Sequence, residues 1–446
     1  MENMSNENEI VKASRQINRR SFLNNSLFGI GGVALSSLMN TKKPSFKLDA
    51  LPHFAPKAKR IIYLFQSGAP SQLELFDYKP KLKEMFGEEL PDSIRQGQRV
   101  TGMTADQRSF PLAASKIGWG QYGKNGTWLS DHIPHHRKIV DDICIIKTMY
   151  TEAINHDPAV TFVQTGSQQA GRPSIGSWIN YGLGSENENL PAFVVLLSRG
   201  RLDGGGQPLY AKLWGNGFLE SKHQGVMFRS GHEPVLYLNN PEGMDREQRR
   251  FMLDYLKKLH QNQFNEIKDD NILSRIEQYE MAYRMQMSVP EAVDVSNEPD
   301  HIYDLYGEES RIPGSYAHNC LLARKLAEEG VKFIQLYHQD WDMHGNLPSQ
   351  MKDLTKQTDQ ASAGLLLDLK QRGLLEDTLV IWGGEFGRGC YSQGKLTPEV
   401  FGRDHHPRCF SIWMAGAGIK KGVTIGETDE FGYNIISNPV HVHDFQ

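Results

Sequence analysis

No apolar run in this chain is long enough and pure enough to read as a confident membrane span, which removes integral membrane proteins from the first classes to consider. Charge of one sign is lacking too. The net charge is −4 and acidic and basic residues are nearly balanced, so there is no electrostatic footprint for a DNA or RNA partner. Cysteine is scarce: Cys144, Cys320, Cys390 and Cys409 are too few among 446 residues for a disulfide scaffold. No internal repeat or low-complexity tract appears either.

What is there is ordinary for a globular protein, with 39% hydrophobic and 23% charged residues, and the length allows one large domain or two average ones with a substantial core. Short β-branched or apolar runs recur at 61–65, 143–146, 193–197, 331–337, 378–382 and 410–414. Between them lie helix-period segments at 158–165, 174–183, 316–329 and 349–372. Continuous apolar runs suit strands covered on both faces, so the alternation predicts an α/β fold: a mostly parallel sheet with helices on both faces. An insertion at about 199–300 breaks the pattern. Its first part, 199–240, is rich in Gly, Pro and aromatics and reads as an irregular lid; a charged stretch from 245 to 287 reads as a solvated helical hairpin, closed by a linker at 290–299.

The first 45 residues differ in kind. Asn18-Arg19-Arg20-Ser21-Phe22-Leu23 precedes an uncharged, mildly apolar run at 26–39, the layout of an export signal. The paired arginines resemble a twin-arginine signal, so the expected location is periplasmic or extracellular, with the segment cut or kept as an anchor. Export brings an oxidising compartment, where Cys390 and Cys409 form a candidate bridge across the loop carrying a histidine pair.

The chemistry-bearing residues follow the strands. Asp340, Asp342 and His344 come after the run at 331–337; Asp340 and His344 are the expected metal ligands, with Asp342 capping a turn and His338 hydrogen-bonding in the core. Gly383-Gly384 then turns the chain into Glu385, a candidate ligand or base, and Arg388, a candidate holder of an anionic substrate oxygen. Asp404-His405-His406 precedes the last long strand. Adjacent histidines in an extended loop point in roughly opposite directions, so one, taken as His405, would coordinate and the other, His406, would face substrate or support the site. Upstream, His156 opens a helix in Asn155-His156-Asp157-Pro158, where free backbone amides favour anions, and it is a candidate ligand or nucleophile.

Taken together, the Leu64-Phe65-Gln66-Ser67-Gly68-Ala69-Pro70-Ser71 motif, Asn155-His156-Asp157-Pro158, Gly171-Arg172-Pro173-Ser174, Trp382-Gly383-Gly384-Glu385-Phe386-Gly387-Arg388 and Gly402-Arg403-Asp404-His405-His406-Pro407 resemble the sulfatase-like family labelled domain of unknown function 1501. The resemblance covers residues 57–446. It implies an exported bacterial protein with an alkaline phosphatase and sulfatase type of sheet, acting as a metal-dependent hydrolase on a sulfate or phosphate ester, glycan or small molecule. One divalent metal, zinc or manganese, would be held by Asp340, His344 and His405. Arg172 or Arg388 would contact the anion.

A second metal position is eroded by the same comparison. Gln66-Ser67-Gly68 stands where an Asp is expected, Gly384-Glu385-Phe386-Gly387 where Ser-Asp-His-Gly is usual, and His156 at the nucleophile's place. Either His156 and Glu385 complete one ion's coordination or His156 attacks or moves a proton. The alternative is a non-catalytic binding protein retaining one structural ion. The family also continues into a closing helix where this chain stops at Gln446, so a truncated C-terminus is expected, with His441 and His443 in packing roles.

Overall fold

The computed structural model describes residues 56–446 except 199, 201–205, 208, 231–232 and 237, so the signal-like segment at 1–45 lies outside the described residues. In chain order the strands are β1 (Arg60–Gln66), β2 (Trp119–Tyr122), β3 (Thr127–Ser130), β4 (Ile143–Tyr150), β5 (Phe193–Ser198), β6 (Val226–Phe228), β7 (Phe333–His338) and β8 (Thr378–Gly383). They continue with β9 (Gly387–Arg388), β10 (His405–His406), β11 (Phe410–Ala415), β12 (Val423–Ile425), β13 (Glu427–Thr428), β14 (Ile435–Ser437) and β15 (Val440–His441). One mixed sheet runs β12-β4-β11-β8-β1-β7-β5-β6, with β15 also on β4. Every pairing in it is parallel except those of β11 with β4 and β8. All six strands expected from the sequence are present.

Strand alternation explains why these runs are apolar throughout. Ile62 and Leu64 of β1 enter one buried layer and Tyr63 and Phe65 the other, and β4, β5, β7, β8 and β11 divide in the same way. The Tyr316–Glu328 and Leu347–Gln371 helices close the first layer; the His156–Thr165 and Ile175–Leu183 helices close the second. Each fully buried side chain of this size contributes about 1.5–3 kcal/mol, so the two layers, not local propensity, fix the sheet.

Three expectations need correction. The region 199–240 is not only irregular, because Val226–Phe228 adds an edge strand parallel to β5. The charged stretch forms two successive helices, Arg246–Ile267 and Asp270–Val293, in keeping with a helical hairpin, but the second runs through Pro290 into the expected linker. Proline falls in its last turn, where its missing N–H costs one backbone bond, while Val289 and Ala292 are buried on either side. The Cys390–Cys409 bridge does not form: both thiols are free and buried, and Cys409 Sγ lies 3.0 Å from the Gly432 carbonyl.

The topology gathers one edge. The C-terminal ends of parallel β1, β4, β7 and β8 lie together with the start of antiparallel β11, the place where open α/β sheets bind ligands.

His338, at the end of β7, is fully buried with Nδ1 2.9 Å from Ser198 Oγ, the core role expected of it. Burial pulls its pKa from 6.5 down to about 3. A depressed histidine contributes stability above the unfolded value and loses it as pH falls towards the folded one, at roughly 1.4 kcal/mol per pH unit. Urea titrations should therefore show the wild type losing roughly 2 kcal/mol more than His338→Asn between about pH 6.5 and pH 5; equal losses would contradict this burial of a neutral imidazole.

Candidate metal centre

Four side chains meet at this edge. His156 is the first residue of its helix, after the Asn155 cap. Asp342 and His344 lie beyond β7, and His405 sits on β10, whose register sets it against Arg388 of β9. Two glycines allow the loops to close. Gly68 has φ +108°, and a Cβ on it would stand 2.6 Å from the Asp342 amide nitrogen; one on Gly402 would overlap the His344 carbonyl. The first loop is also zipped to β7's exit, by Ser67 N–H to the His338 carbonyl at 2.8 Å and Trp341 N–H to the Ser67 carbonyl at 3.2 Å.

The ligand atoms of His156, Asp342, His344 and His405 all lie within 4.8 Å of one another. Asp342 Oδ1 is 2.8 Å from His344 Nε2, 3.1 Å from His156 Nε2 and 3.4 Å from His405 Nε2, and His405 Nε2 approaches His344 Nε2 at 3.1 Å. A tetrahedron with bonds of about 2.0–2.1 Å has edges of about 3.3–3.4 Å, close to this spacing.

The outer contacts decide which nitrogens face inward. His156 Nδ1 donates to Glu385 Oε1 at 2.6 Å, His405 Nδ1 to the Ile154 carbonyl at 2.7 Å, and His344 Nδ1 meets Gln393 Oε1. A carboxylate and a carbonyl can only accept, so these contacts put hydrogen on Nδ1 and leave lone pairs on the converging Nε2 atoms. Two such lone pairs face each other between His344 and His405, and His156 Nε2 is buried with no hydrogen-bond partner. That is an unfavourable arrangement for neutral rings alone. A divalent cation at the shared point satisfies all of it, so the residues fit a metal.

The electrostatics agree for Asp342 and His405. Burial would raise the Asp342 carboxyl, but the Arg388 guanidinium and the three imidazoles beside it hold it well below the usual carboxylate range. Burial pushes His405 down to about 4, which keeps it neutral and ready to ligate. For His156 burial acts downward as well, yet Asp342 and Glu385 outweigh it and raise the ring above its ordinary value.

Several expected roles change. Asp342, not Asp340, joins His344 and His405 in the cluster. The backbone at Asp340 is left-handed, φ 82°, and turns its carboxylate towards the Gly206 backbone of the insertion. Arg388 is fully buried: Nε donates to the Ala69 carbonyl at 3.0 Å, Nη1 to the Arg403 carbonyl at 3.2 Å, and Nη2 to the Gly68 carbonyl and, at 2.6 Å, to Asp342 Oδ1. It supports the ligand and has no donor turned to a substrate. Glu385 likewise orients His156 and accepts from Gly68 N–H at 2.9 Å.

His406 faces away from the centre, as strand alternation requires, with Nε2 2.7 Å from the Tyr433 carbonyl. Arg172 is exposed and donates to the Gly166 carbonyl, at the far end of the helix that His156 begins, about 15 Å away by helical rise. Asp404 accepts from Thr101 Oγ1 at 2.6 Å and from the His405 amide at 2.9 Å, an anchoring role. His441 pairs with Glu152, and His443 lies 3.3 Å from the Gly166 carbonyl, both away from the four ligands.

The matching family decides kinship. The chain belongs to the family described as Protein of unknown function (DUF1501), which matches residues 58–446. No curated protein matches it. Among solved structures the DUF1501 chain is similar to alkaline phosphatase from the Antarctic bacterium TAB5, at 14% identity and a TM-score of 0.33 over 85% of this chain and 97% of that one. It is also similar to the PsFucS1 sulfatase from Pseudoalteromonas sp., at 12% and 0.33 over 90% and 69%. The C-terminal periplasmic domain of EcEptC from Escherichia coli, in complex with Zn, gives 8% and 0.33 over 82% and 74%. Likenesses this distant leave function to the site itself.

Metal analysis of purified variants tests the donor set. His156→Ala, Asp342→Ala, His344→Ala and His405→Ala should lose the bound divalent ion, Gln393→Ala should weaken it by about 10–100-fold, and Asp340→Ala should keep it. A variant series in which Asp340→Ala strips the metal and Asp342→Ala does not would reverse the assignment.

Proposed function

We propose that this protein is an exported, periplasmic or extracellular, metal-dependent hydrolase of a sulfate or phosphate ester, on a glycan or a small molecule. The observation that carries the reading is the convergence of three Nε2 atoms and one carboxylate oxygen on a single point at the ligand-binding edge of the sheet. Three imidazoles with one carboxylate favour zinc, with manganese the second choice. When bound, such a cation supplies Lewis acidity to an anionic ester.

The chain's own residues do the rest. Asp342 and Glu385 contribute formal negative charge and Arg388 positive, which leaves the neutral-histidine site at minus one; a divalent cation turns it to plus one, matched to an anion. His156 is oriented through Nδ1 by Glu385 and turns Nε2 towards the shared point, so it acts as a ligand and not as a nucleophile. Water is then the attacking group. Asp342 and His344 are the most open of the four, with side chains 22% and 24% exposed, and the ester approaches from their side.

One observation favours a second reading. Four protein donors fill a tetrahedral shell, the usual composition of a structural site, and this suits a non-catalytic binding protein with a retained ion. Assays of zinc- and manganese-loaded protein against aryl sulfate and aryl phosphate esters distinguish the two. Hydrolysis that requires the metal and is abolished in His344→Ala is the expected result. A folded, fully metallated protein inert to both ester classes would favour the binding reading.

A further inference from the structure

Asp342 uses its two carboxylate oxygens differently. Oδ1 faces the Nε2 atoms of His156, His344 and His405 and the Arg388 guanidinium. Oδ2 accepts a hydrogen bond from Gln207 Nε2 at 2.8 Å. An ionised carboxylate can only accept, so this contact places the amide nitrogen of Gln207, not its oxygen, against Asp342.

Gln207 comes from the insertion, not from the sheet edge that carries the four ligands. Its backbone is fixed beside the exit of β7: Gln339 Nε2 donates to the Gln207 carbonyl, and Gln339 N–H donates at 3.2 Å to the Ser198 carbonyl, at the end of β5. A Cβ on Gly206 would stand 2.9 Å from Asp340 Oδ1 and 3.2 Å from Gln339 Cβ, so glycine lets the segment lie this close. Further along, Lys212 Nζ pairs with Asp157, next to His156, at 2.6 Å. An anchored backbone thus delivers the amide to Asp342.

Rotation of an Asp carboxylate about Cβ–Cγ has a broad, two-fold preference, so the side chain itself does not select one oxygen. A carboxylate can hold a cation through one oxygen or through both. Arg388 engages Oδ1 and leaves Oδ2 to Gln207. We propose that Gln207 is a positioning residue that holds Asp342 to coordination through one oxygen, by occupying Oδ2 and fixing the plane of the carboxylate. Resting on the four-donor centre above, this role makes the insertion the part of the chain that limits the shell to four. Outer hydrogen bonds tune a ligating carboxylate as they tune a ligating imidazole.

Zinc competition titrations and the visible absorption of the cobalt-loaded full chain test this, since four-coordinate cobalt(II) absorbs more strongly than five-coordinate. Wild type should show the intense four-coordinate bands. Gln207→Leu, which keeps the bulk and removes the donor, should bind zinc about 10–100-fold more weakly and lower the cobalt bands as Asp342 adds its second oxygen. Lys212→Ala, which frees the same insertion from Asp157 and not from Asp342, should match wild type in both measurements. The proposal is overturned if Gln207→Leu keeps the wild-type bands, if it takes up no cobalt, or if Lys212→Ala changes the bands equally. A wild type that takes up no cobalt, or holds it only as a five- or six-coordinate ion, would overturn the four-donor centre and this role with it.

Discussion

The constraint on which the site depends is the fixing of three imidazoles from the outside. Glu385, Gln393 and the Ile154 carbonyl each engage a Nδ1, and the Nε2 lone pairs have nowhere to point except at one another and at Asp342. Without a cation this is frustration stored in a well-packed edge; with one it becomes coordination. The same outer contacts fix the three rings in advance, which would reduce the ordering cost of binding a cation.

Buried charge holds that frame in place. Arg388 is enclosed, neutralises Asp342 and gathers carbonyls from two further loops. Arg403 is equally enclosed, paired with Glu74 at 2.6 Å, and ties the His405 loop to the turn after β1. Pairs of this kind add little net stability, but loss of one partner leaves an uncompensated buried charge. Their value here is positional: they specify where the loops carrying Asp342 and His405 must lie.

The sheet was legible in the sequence because strands buried on both faces leave continuous apolar runs, and β1, β4, β5, β7, β8 and β11 all carry one. His344 and His405 were legible for a related reason, since polar side chains flanking such runs stand out. The choice of Asp340 over Asp342 failed because backbone handedness decides it, and a left-handed non-glycine residue has no reliable mark in sequence. Arg388 was misread because an arginine beside an acid looks the same whether it serves substrate or scaffold; only burial tells them apart. Gln393 and the Ile154 carbonyl carried no signal at all, as a lone glutamine and a main-chain oxygen belong to no motif. The edge strand β6 was hidden by its shortness.

X-ray absorption spectroscopy of the zinc-loaded full chain tests the central claim most directly. The account predicts a four-coordinate shell of three imidazole nitrogens and one carboxylate oxygen at about 2.0–2.2 Å. A shell made mainly of oxygen, or one containing fewer than three imidazoles, would contradict it.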